Sequence, residues 1–111
     1  PKLFPENCKI DWTASMDTIY NKIRGLNPFP AAWTYIKTND SEISAKIYGI
    51  KKELENHHHN NGVIITTKNE LKVAVPEGYI IIEEIKISGK KKLSAKDLLN
   101  GFEFSEGSKM L

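Results

Sequence analysis

Residues 10–30, IDWTASMDTIYNKIRGLNPFP, decide the fold of this chain, because they carry its clearest helical pattern. The apolar side chains recur at i, i+3, i+4, i+7 and i+10, which places them on one face of a helix with 3.6 residues per turn. They are Met16, Ile19, Tyr20, Ile23 and Leu26. The segment therefore predicts an amphipathic helix that buries this stripe against the rest of the chain.

The two ends of this helix carry the expected signals. Thr13 or Ser15 can cap the first turn, and Asp17 lies near the positive end of the helix dipole. Lys22 and Arg24 lie near the other end, where cations are favoured. Gly25 and then residues 27–30, NPFP, are expected to end the helix, because proline has no N–H group and disfavours helical geometry in the residue before it.

Five short strands are predicted in the remainder of the chain, separated by turns and by one polar loop, residues 56–62 (NHHHNNG). Gly49 interrupts the second strand and indicates a bulge or a bend. Lys68 and Asn69 are expected to form a hairpin turn. The predicted strands are residues 31–38, 43–54, 63–67, 70–75 and 79–87, and the other turns are 39–41 and 76–78.

A second, short helix is predicted over residues 94–100, with Ser94 as its cap and Gly101 after its end. One helix, several antiparallel strands at regular spacing and a short final helix favour a mainly β fold with α-helices. We expect one domain over residues 1–111, a small five-to-six-stranded Greek-key barrel of the oligonucleotide-binding type, with an N-terminal helix and a short C-terminal helix.

Composition indicates a globular chain with a mildly basic balance. The 111 residues carry a formal net charge of +2 and one cysteine, Cys8, so no internal disulfide is possible and a cytoplasmic protein is expected. No apolar run is long enough to span a membrane. Because the chain opens at Pro1 without a methionine, we expect a module from a longer protein.

No set of residues in the sequence predicts a catalytic site or a metal site. Cys8 has no histidine near it in the sequence, and Glu83 and Glu84 are neighbours on a strand, where successive side chains point to opposite faces. His57, His58 and His59 are adjacent, so their side chains diverge, whereas zinc ligands are usually spaced by two or more residues. We interpret residues 56–62 as a flexible polar loop.

The candidate binding residues are basic. They are Arg24, Lys90, Lys91 and Lys92, followed from charge alone by Lys22, Lys51, Lys52 and Lys96. Such residues can hold phosphates, although a solvated lysine surface is the alternative. The aromatic residues are not interleaved with the lysines in the sequence, as a base-stacking platform would require. Trp12, Trp33, Phe29 and Tyr35 are therefore predicted to be packing residues.

Three motifs in this order resemble a known family. Residues 10–12 (IDW), 23–33 (IRGLNPFPAAW) and 89–101 (GKKKLSAKDLLNG) closely resemble the C-terminal domain of methionyl-tRNA formyltransferase. The resemblance runs from about Cys8 to Gly101 and implies an oligonucleotide-binding-type barrel. Arg24 and Lys90 to Lys92 fall on the basic positions of the family motifs.

The resemblance also implies that catalysis and tRNA binding belong to two different domains. The family transfers a formyl group from 10-formyltetrahydrofolate to initiator methionyl-tRNA, and catalysis belongs to an N-terminal Rossmann-like domain that this chain lacks. The chain is then a non-catalytic tRNA-binding domain, expected as a monomer, with no cofactor of its own. Its implied partners are initiator methionyl-tRNA and the N-terminal catalytic domain of the same polypeptide.

One alternative keeps the domain type and changes its role. The same domain occurs in relatives such as 10-formyltetrahydrofolate dehydrogenase and a bacterial UDP-amino-arabinose formyltransferase. There it would act mainly as an interdomain packing module without tRNA binding. This alternative predicts an exposed apolar patch near Leu3, Phe4 and the corner at Phe29 and Pro30.

Overall fold

Two antiparallel sheets and two helices form the fold in the computed structural model, which describes residues 6–27, 31–38, 41–102, 104 and 107–111. The elements in chain order are a 3₁₀ turn (Glu6–Cys8), α1 (Met16–Leu26), β1 (Ala32–Thr38), β2 (Ser41–Ile47), β3 (Ile50–Leu54), β4 (Ile64–Thr66), β5 (Leu71–Val75), β6 (Gly78–Ile82), β7 (Glu84–Ile87), β8 (Leu93–Ser94), α2 (Ala95–Gly101) and β9 (Lys109–Met110).

The predicted amphipathic helix is confirmed, with Ser15 as its cap. The Ser15 side chain accepts a hydrogen bond from the backbone N–H of Thr18, and the helix buries Met16, Ile19 and Ile23. Gly25 lies inside the helix and does not end it, because Asn27 is the C-cap. Residues 28–30, which include the predicted proline stop and Phe29, lie outside the described residues, as do Leu3 and Phe4.

Two of the predicted strands each divide into two. The predicted strand 43–54 becomes β2 and β3, which belong to different sheets, and the predicted strand 79–87 becomes β6 and β7 in the same way. Both divisions meet at one corner, where Tyr48 N–H donates to Glu84 O (3.0 Å) and Glu83 N–H donates to Gly49 O (2.7 Å). The bend predicted at Gly49 is thus present, but it moves the chain into a second sheet.

The sheets have the orders β8-β7-β2-β1-β9 and β3-β6-β5-β4, and all their strand pairs are antiparallel. They also approach each other at a second place, where Met110 N–H donates to Gly62 O (2.7 Å) and Ile64 N–H donates to Ser108 O (3.0 Å). The described residues therefore form two joined sheets and not one closed barrel. The mainly β fold with a helix near each end is confirmed.

The core lies between the two sheets, with α1 packed against it. Its largest fully buried side chains come from the segment before α1, from α1 and from both sheets, and they are Ile10, Met16, Ile19, Ile23, Ile36, Ile47, Leu71, Val73, Val75, Ile80, Ile82 and Ile85. Trp12 is buried as well, and its indole N–H donates to Thr34 Oγ1 at 2.9 Å. Trp12 and Trp33 are packing residues as predicted, whereas Tyr35 is 39% exposed, so that prediction is wrong for Tyr35.

The smaller predicted elements are present where the structure describes them, but Gly101 does not follow the end of α2 as predicted. It is the last residue of that helix, because Phe102 is the C-cap and its N–H donates to Leu98 O. Thr67 N–H donates to Glu70 O at 2.9 Å across the predicted hairpin turn. The Ser94 side chain caps α2 by accepting from Asp97 N–H at 3.1 Å. Residues 39 and 40 of the predicted turn 39–41 lie outside the described residues. The tail after α2 adds β9, which no predicted strand covers and which pairs with β1.

The histidine loop is held more firmly than its polar composition indicates. His57 Nε2 lies 2.8 Å from Val75 O and 2.9 Å from Gly78 O, so this nitrogen carries the proton and donates to the two carbonyl groups. Its Nδ1 then accepts from His59 N–H at 3.1 Å. His58 and His59 are exposed. His57 therefore anchors one end of the loop to the turn between β5 and β6.

Candidate nucleic-acid interface

Cys8, Glu83 and Glu84 are either buried or engaged in ion pairs. Cys8 is buried. Glu83 and Glu84 are exposed and form ion pairs with Lys51 (3.4 Å) and Lys92 (3.9 Å). Within the described ranges no three acidic, histidine or cysteine side chains come close enough to hold a metal ion. The remaining candidate functional residues are the basic side chains.

Arg24 and Lys52 meet over one aromatic ring on the exposed side of α1. The guanidinium carbon of Arg24 lies 5.5 Å from the centroid of the Tyr20 ring, and Lys52 Nζ lies 4.7 Å from it. The first pair follows from helix geometry, because residues four apart share a face. Lys52 arrives from β3 and also contacts Asp17 Oδ1 at 3.1 Å. The helix end thus presents two cations around a partly buried tyrosine.

A second group of cations lies in the loop that joins β7 to β8. Lys92 Nζ lies 4.7 Å from the centroid of the Tyr48 ring and 3.9 Å from Glu84 Oε2. Lys90 Nζ lies 5.9 Å from the centroid of the Phe102 ring. Lys91 is exposed between them. Lys92 therefore stands at the corner where the two sheets meet, and Lys90 lies beside Phe102, which follows α2.

Lys51 and Lys96 line a cleft of about 230 Å³ between the sheet corner and the start of α2. Ile81 and Ala95 contribute apolar side chains to the cleft, and Ser94 and Asn69 contribute polar ones. Two carboxylates, Glu70 and Glu83, also line it. Glu83 lies 3.4 Å from Lys51, so one cation of the cleft is already paired.

Lys22 stands apart from the other predicted residues in its contacts. Its ammonium donates to the backbone carbonyl of Lys9 at 2.6 Å, which ties α1 to the segment before it. Because an ammonium has three N–H groups, Lys22 retains donors for another partner. Its first role in this fold is to hold the lead-in segment against the helix.

Sequence reasoning missed the aromatic partners of these cations. Tyr20, Tyr48 and Phe102 each lie within 6 Å of a predicted basic side chain, and such contacts are favourable in proteins. Only the pairing of Tyr20 with Arg24 has a signal in the sequence, their spacing of four residues. Lys92 with Tyr48, and Lys90 with Phe102, are brought together by the fold across many residues.

The fold and this surface define a small antiparallel β domain with cations set beside aromatic rings. In the described part of the chain no helix is long and apolar enough to span a membrane. The sequence belongs to the family described as formyl transferase, C-terminal domain, which matches residues 2–103.

Relatives that match this chain include methionyl-tRNA formyltransferases. The chain is 46% identical over 109 residues to that of Flavobacterium johnsoniae, covering 98% of the chain and 35% of the relative. It is 48% identical over 105 residues to that of Flavobacterium psychrophilum, covering 95% and 33%. It is 40% identical over 112 residues to that of Bacteroides thetaiotaomicron, covering 99% and 35%. The chain thus spans about a third of the length of these relatives and matches their C-terminal part.

Proposed function

We propose that the chain is the tRNA-binding domain of a methionyl-tRNA formyltransferase, folded as one domain over residues 1–111. Family membership and the names of the relatives support this assignment. The observation that carries it is the grouping of the predicted cations around aromatic rings, with Arg24 and Lys52 at Tyr20 and Lys92 at Tyr48. Cations bind phosphates, and rings beside them can contact bases or riboses.

The domain holds its tRNA by the sugar-phosphate backbone and not by reading bases. Arg24 is the only arginine of the chain, so at most one arginine side chain can make bidentate hydrogen bonds to a base edge. Lysine ammonium groups act as mobile point charges that suit phosphates of many sequences. We expect Arg24 and Lys90 to Lys92 to make the main phosphate contacts, with Lys51, Lys52, Lys96 and Lys22 adding to them.

The chemistry of the parent enzyme belongs to the polypeptide that precedes this domain. That part takes the formyl group from 10-formyltetrahydrofolate, which serves as a substrate, and transfers it to the amino group of initiator methionyl-tRNA. The present domain contributes binding and positioning, which raise the effective concentration of the acceptor end at the catalytic domain. It acts as a monomer within that protein, in the cytoplasm.

Charge reversal tests this assignment. The triple variant Lys90→Glu, Lys91→Glu, Lys92→Glu is expected to weaken binding of initiator tRNA at least tenfold in fluorescence anisotropy, because up to three phosphate contacts become repulsive. Lys68→Glu in the exposed β4–β5 turn is the control, and it should change the affinity about threefold or less. Circular dichroism should show that both variants keep the fold. Unchanged binding by the triple variant would contradict the assignment of the site.

A second candidate function is packing against the catalytic domain, and one residue favours it. Leu54 at the end of β3 is 78% exposed and lies beside a cleft of about 550 Å³ lined also by Met16 and Glu77. An exposed leucine next to a cleft is suited to burial at a domain interface. Leu54→Ser should weaken docking to a separately produced catalytic domain and leave tRNA binding by the isolated chain unchanged.

A further inference from the structure

The outer face of the five-stranded sheet carries a set of lysines that the sequence analysis did not single out. Alternate residues of its strands point into the core, among them Ile36, Ala45 and Ile85, so the residues between them share the opposite face. The lysines on that face are Lys37 on β1, Lys46 on β2, Lys86 on β7 and Lys109 on β9, and Lys9 joins them through its bridge to Trp33.

The register sets these lysines opposite one another. Lys46 pairs with Lys86 across β2 and β7, and Lys37 pairs with Lys109 across β1 and β9. Directly paired residues in antiparallel strands have Cβ atoms roughly 5 Å apart, and like charges at that separation destabilise a sheet. Features that oppose local stability tend to occur at functional sites. The two lysine pairs are therefore a reason to expect an anion on this face.

An exposed aromatic ring lies between the two pairs. Trp33 is the cross-strand partner of Lys46, and Tyr35 follows two residues later, before Lys37, so the pairs lie about 13 Å apart along the strand. The ring of Tyr35 is 39% exposed and meets the ring of Trp33 edge-on, with centroids 5.0 Å apart. Lys9 Nζ lies 6.0 Å from the centroid of each ring. Tyr35 is thus a fixed ring among lysines.

Few carboxylates balance this face within the described ranges. Glu42 is paired with Lys37, and Glu84 lies two residues before Lys86 and contacts Lys92. None of the ion pairs found between described residues includes Lys37, Lys86 or Lys109. By contrast, Lys51, Lys52 and Lys92 of the predicted set each have a carboxylate within 4 Å. Among the described residues Lys37, Lys86 and Lys109 therefore have no carboxylate within 4 Å, as is also the case for Lys90 and Lys91 of the predicted set. Lys9 donates to Leu111 O at 2.7 Å.

We propose that this outer face is a second RNA-binding surface, on which the two lysine pairs hold phosphates and Tyr35 stacks on a base. The proposal rests on the function proposed above and names a different set of contacts. The face adjoins the β7–β8 loop, since Lys86 precedes Lys90 by four residues. One RNA strand can therefore pass from the loop lysines onto the sheet. Stacking on a ring tolerates any base, in keeping with binding that is independent of sequence.

Single substitutions separate the charge and stacking contributions. Lys86→Gln and Lys37→Gln each remove one lysine of a like-charged pair and should leave the fold as stable as before or more so. Each is expected to reduce the slope of log affinity against log salt for tRNA by about 0.7 to 0.9. Tyr35→Ser should weaken binding about fivefold or more with the slope unchanged, and Tyr35→Phe should restore it. Lys68→Gln, in the exposed β4–β5 turn, is the matched control.

The outcomes distinguish this proposal from the one on which it rests. If Lys86→Gln, Lys37→Gln and Tyr35→Ser all bind as the control does, while reversal of Lys90 to Lys92 weakens binding, the outer face is wrong and the tRNA-binding function stands. If the unchanged chain binds no tRNA at low salt, both are wrong. Polyglutamate serves as a competitor that carries charge without bases. If it displaces tRNA as well as RNA of equal charge does, and if Tyr35→Ser does not change this displacement, the face binds an acidic protein partner and the RNA assignment is overturned.

Discussion

The imidazole of His57 stacks on the ring of Tyr79, with centroids 4.7 Å apart and the planes 29° apart. Because its Nε2 also donates to the carbonyls of Val75 and Gly78, His57 joins the long loop to the turn between β5 and β6. In the sequence NHHHNNG the three histidines have similar polar neighbours, so the sequence alone does not distinguish them. The fold gives a structural role to the first of them.

His57→Ala is expected to destabilise the domain by about 1 to 3 kcal/mol, since two carbonyl groups lose their donor and a ring contact is lost. A decrease in melting temperature of at least about 4 °C follows for a domain of this size. His58→Ala, at the neighbouring exposed position, should leave the melting temperature within about 1 °C. Equal effects from the two variants, measured by thermal unfolding, would contradict the role given to His57.

Gly62 tests the second junction between the sheets. Its φ is +89°, and a Cβ atom there would lie 2.4 Å from Met110 O, whose residue donates its own N–H to Gly62 O. Gly62→Ala is therefore expected to destabilise the domain by more than the roughly 1 kcal/mol due to positive φ alone. Gly107 has a φ of +82° and nothing within 4 Å of such a Cβ. Gly107→Ala therefore measures the loss of stability that positive φ alone causes. Chemical denaturation should show Gly62→Ala as clearly the more destabilised.

Glu84 partly neutralises the proposed interface, since its Oε2 lies 3.9 Å from Lys92 Nζ. Glu84→Gln frees that ammonium for a phosphate, and we expect the affinity for tRNA to rise about two- to fivefold at low salt. The gain should shrink as salt is added, because the charges are exposed. Glu55→Gln removes the same charge at another exposed position and serves as control. A fall in affinity with Glu84→Gln would show that Lys92 does not face the RNA.

Asp11 provides a pH dependence with a definite sign. Thr13 donates two hydrogen bonds to Asp11 Oδ1, from Oγ1 at 2.6 Å and from N–H at 3.0 Å, and they hold the pKa of Asp11 below its ordinary value of 3.8. A lowered pKa in the folded state stabilises the fold above the unfolded-state value, and the effect disappears as pH falls through the folded-state value. Asp11→Ala should therefore melt earlier than the unchanged chain at pH 7. The two melting curves should converge as the pH falls through the folded-state pKa, which lies below 3.8, and a difference that persists once Asp11 is protonated in both states would contradict this cause.

Local patterns in the sequence predicted local structure well. Helix α1 follows from apolar spacing and a serine cap, and α2 follows from Ser94, because both signals act within a few residues. The division of the strands at Tyr48 and Glu83 could not be predicted in this detail. Gly49 indicated a bend in the first of these strands, but the corner forms only when Gly49 O meets the backbone of Glu83 from a distant part of the chain.

The candidate site shows the same limit. The lysine run 90–92 is visible in the sequence, but its aromatic partners Tyr48 and Phe102 depend on tertiary contacts. The outer-face lysines alternate with apolar residues on separate strands, and each one alone is typical of a solvated face. Only the register places Lys46 opposite Lys86. The grouping of lysines on the outer face thus depends on which strands pair and in which register, and the sequence does not show either.

The salt dependence of tRNA binding tests the central claim most directly. Fluorescence anisotropy of labelled initiator tRNA with the unchanged 111-residue chain, at several salt concentrations, gives the number of phosphates that the chain neutralises with release of their counterions. Two to five contacts predict a slope of about −2 to −4.5 in log affinity against log salt, with similar affinity for other tRNAs. Absence of binding at the lowest salt, or binding with a slope near zero, would contradict the claim that this domain holds tRNA by its charge.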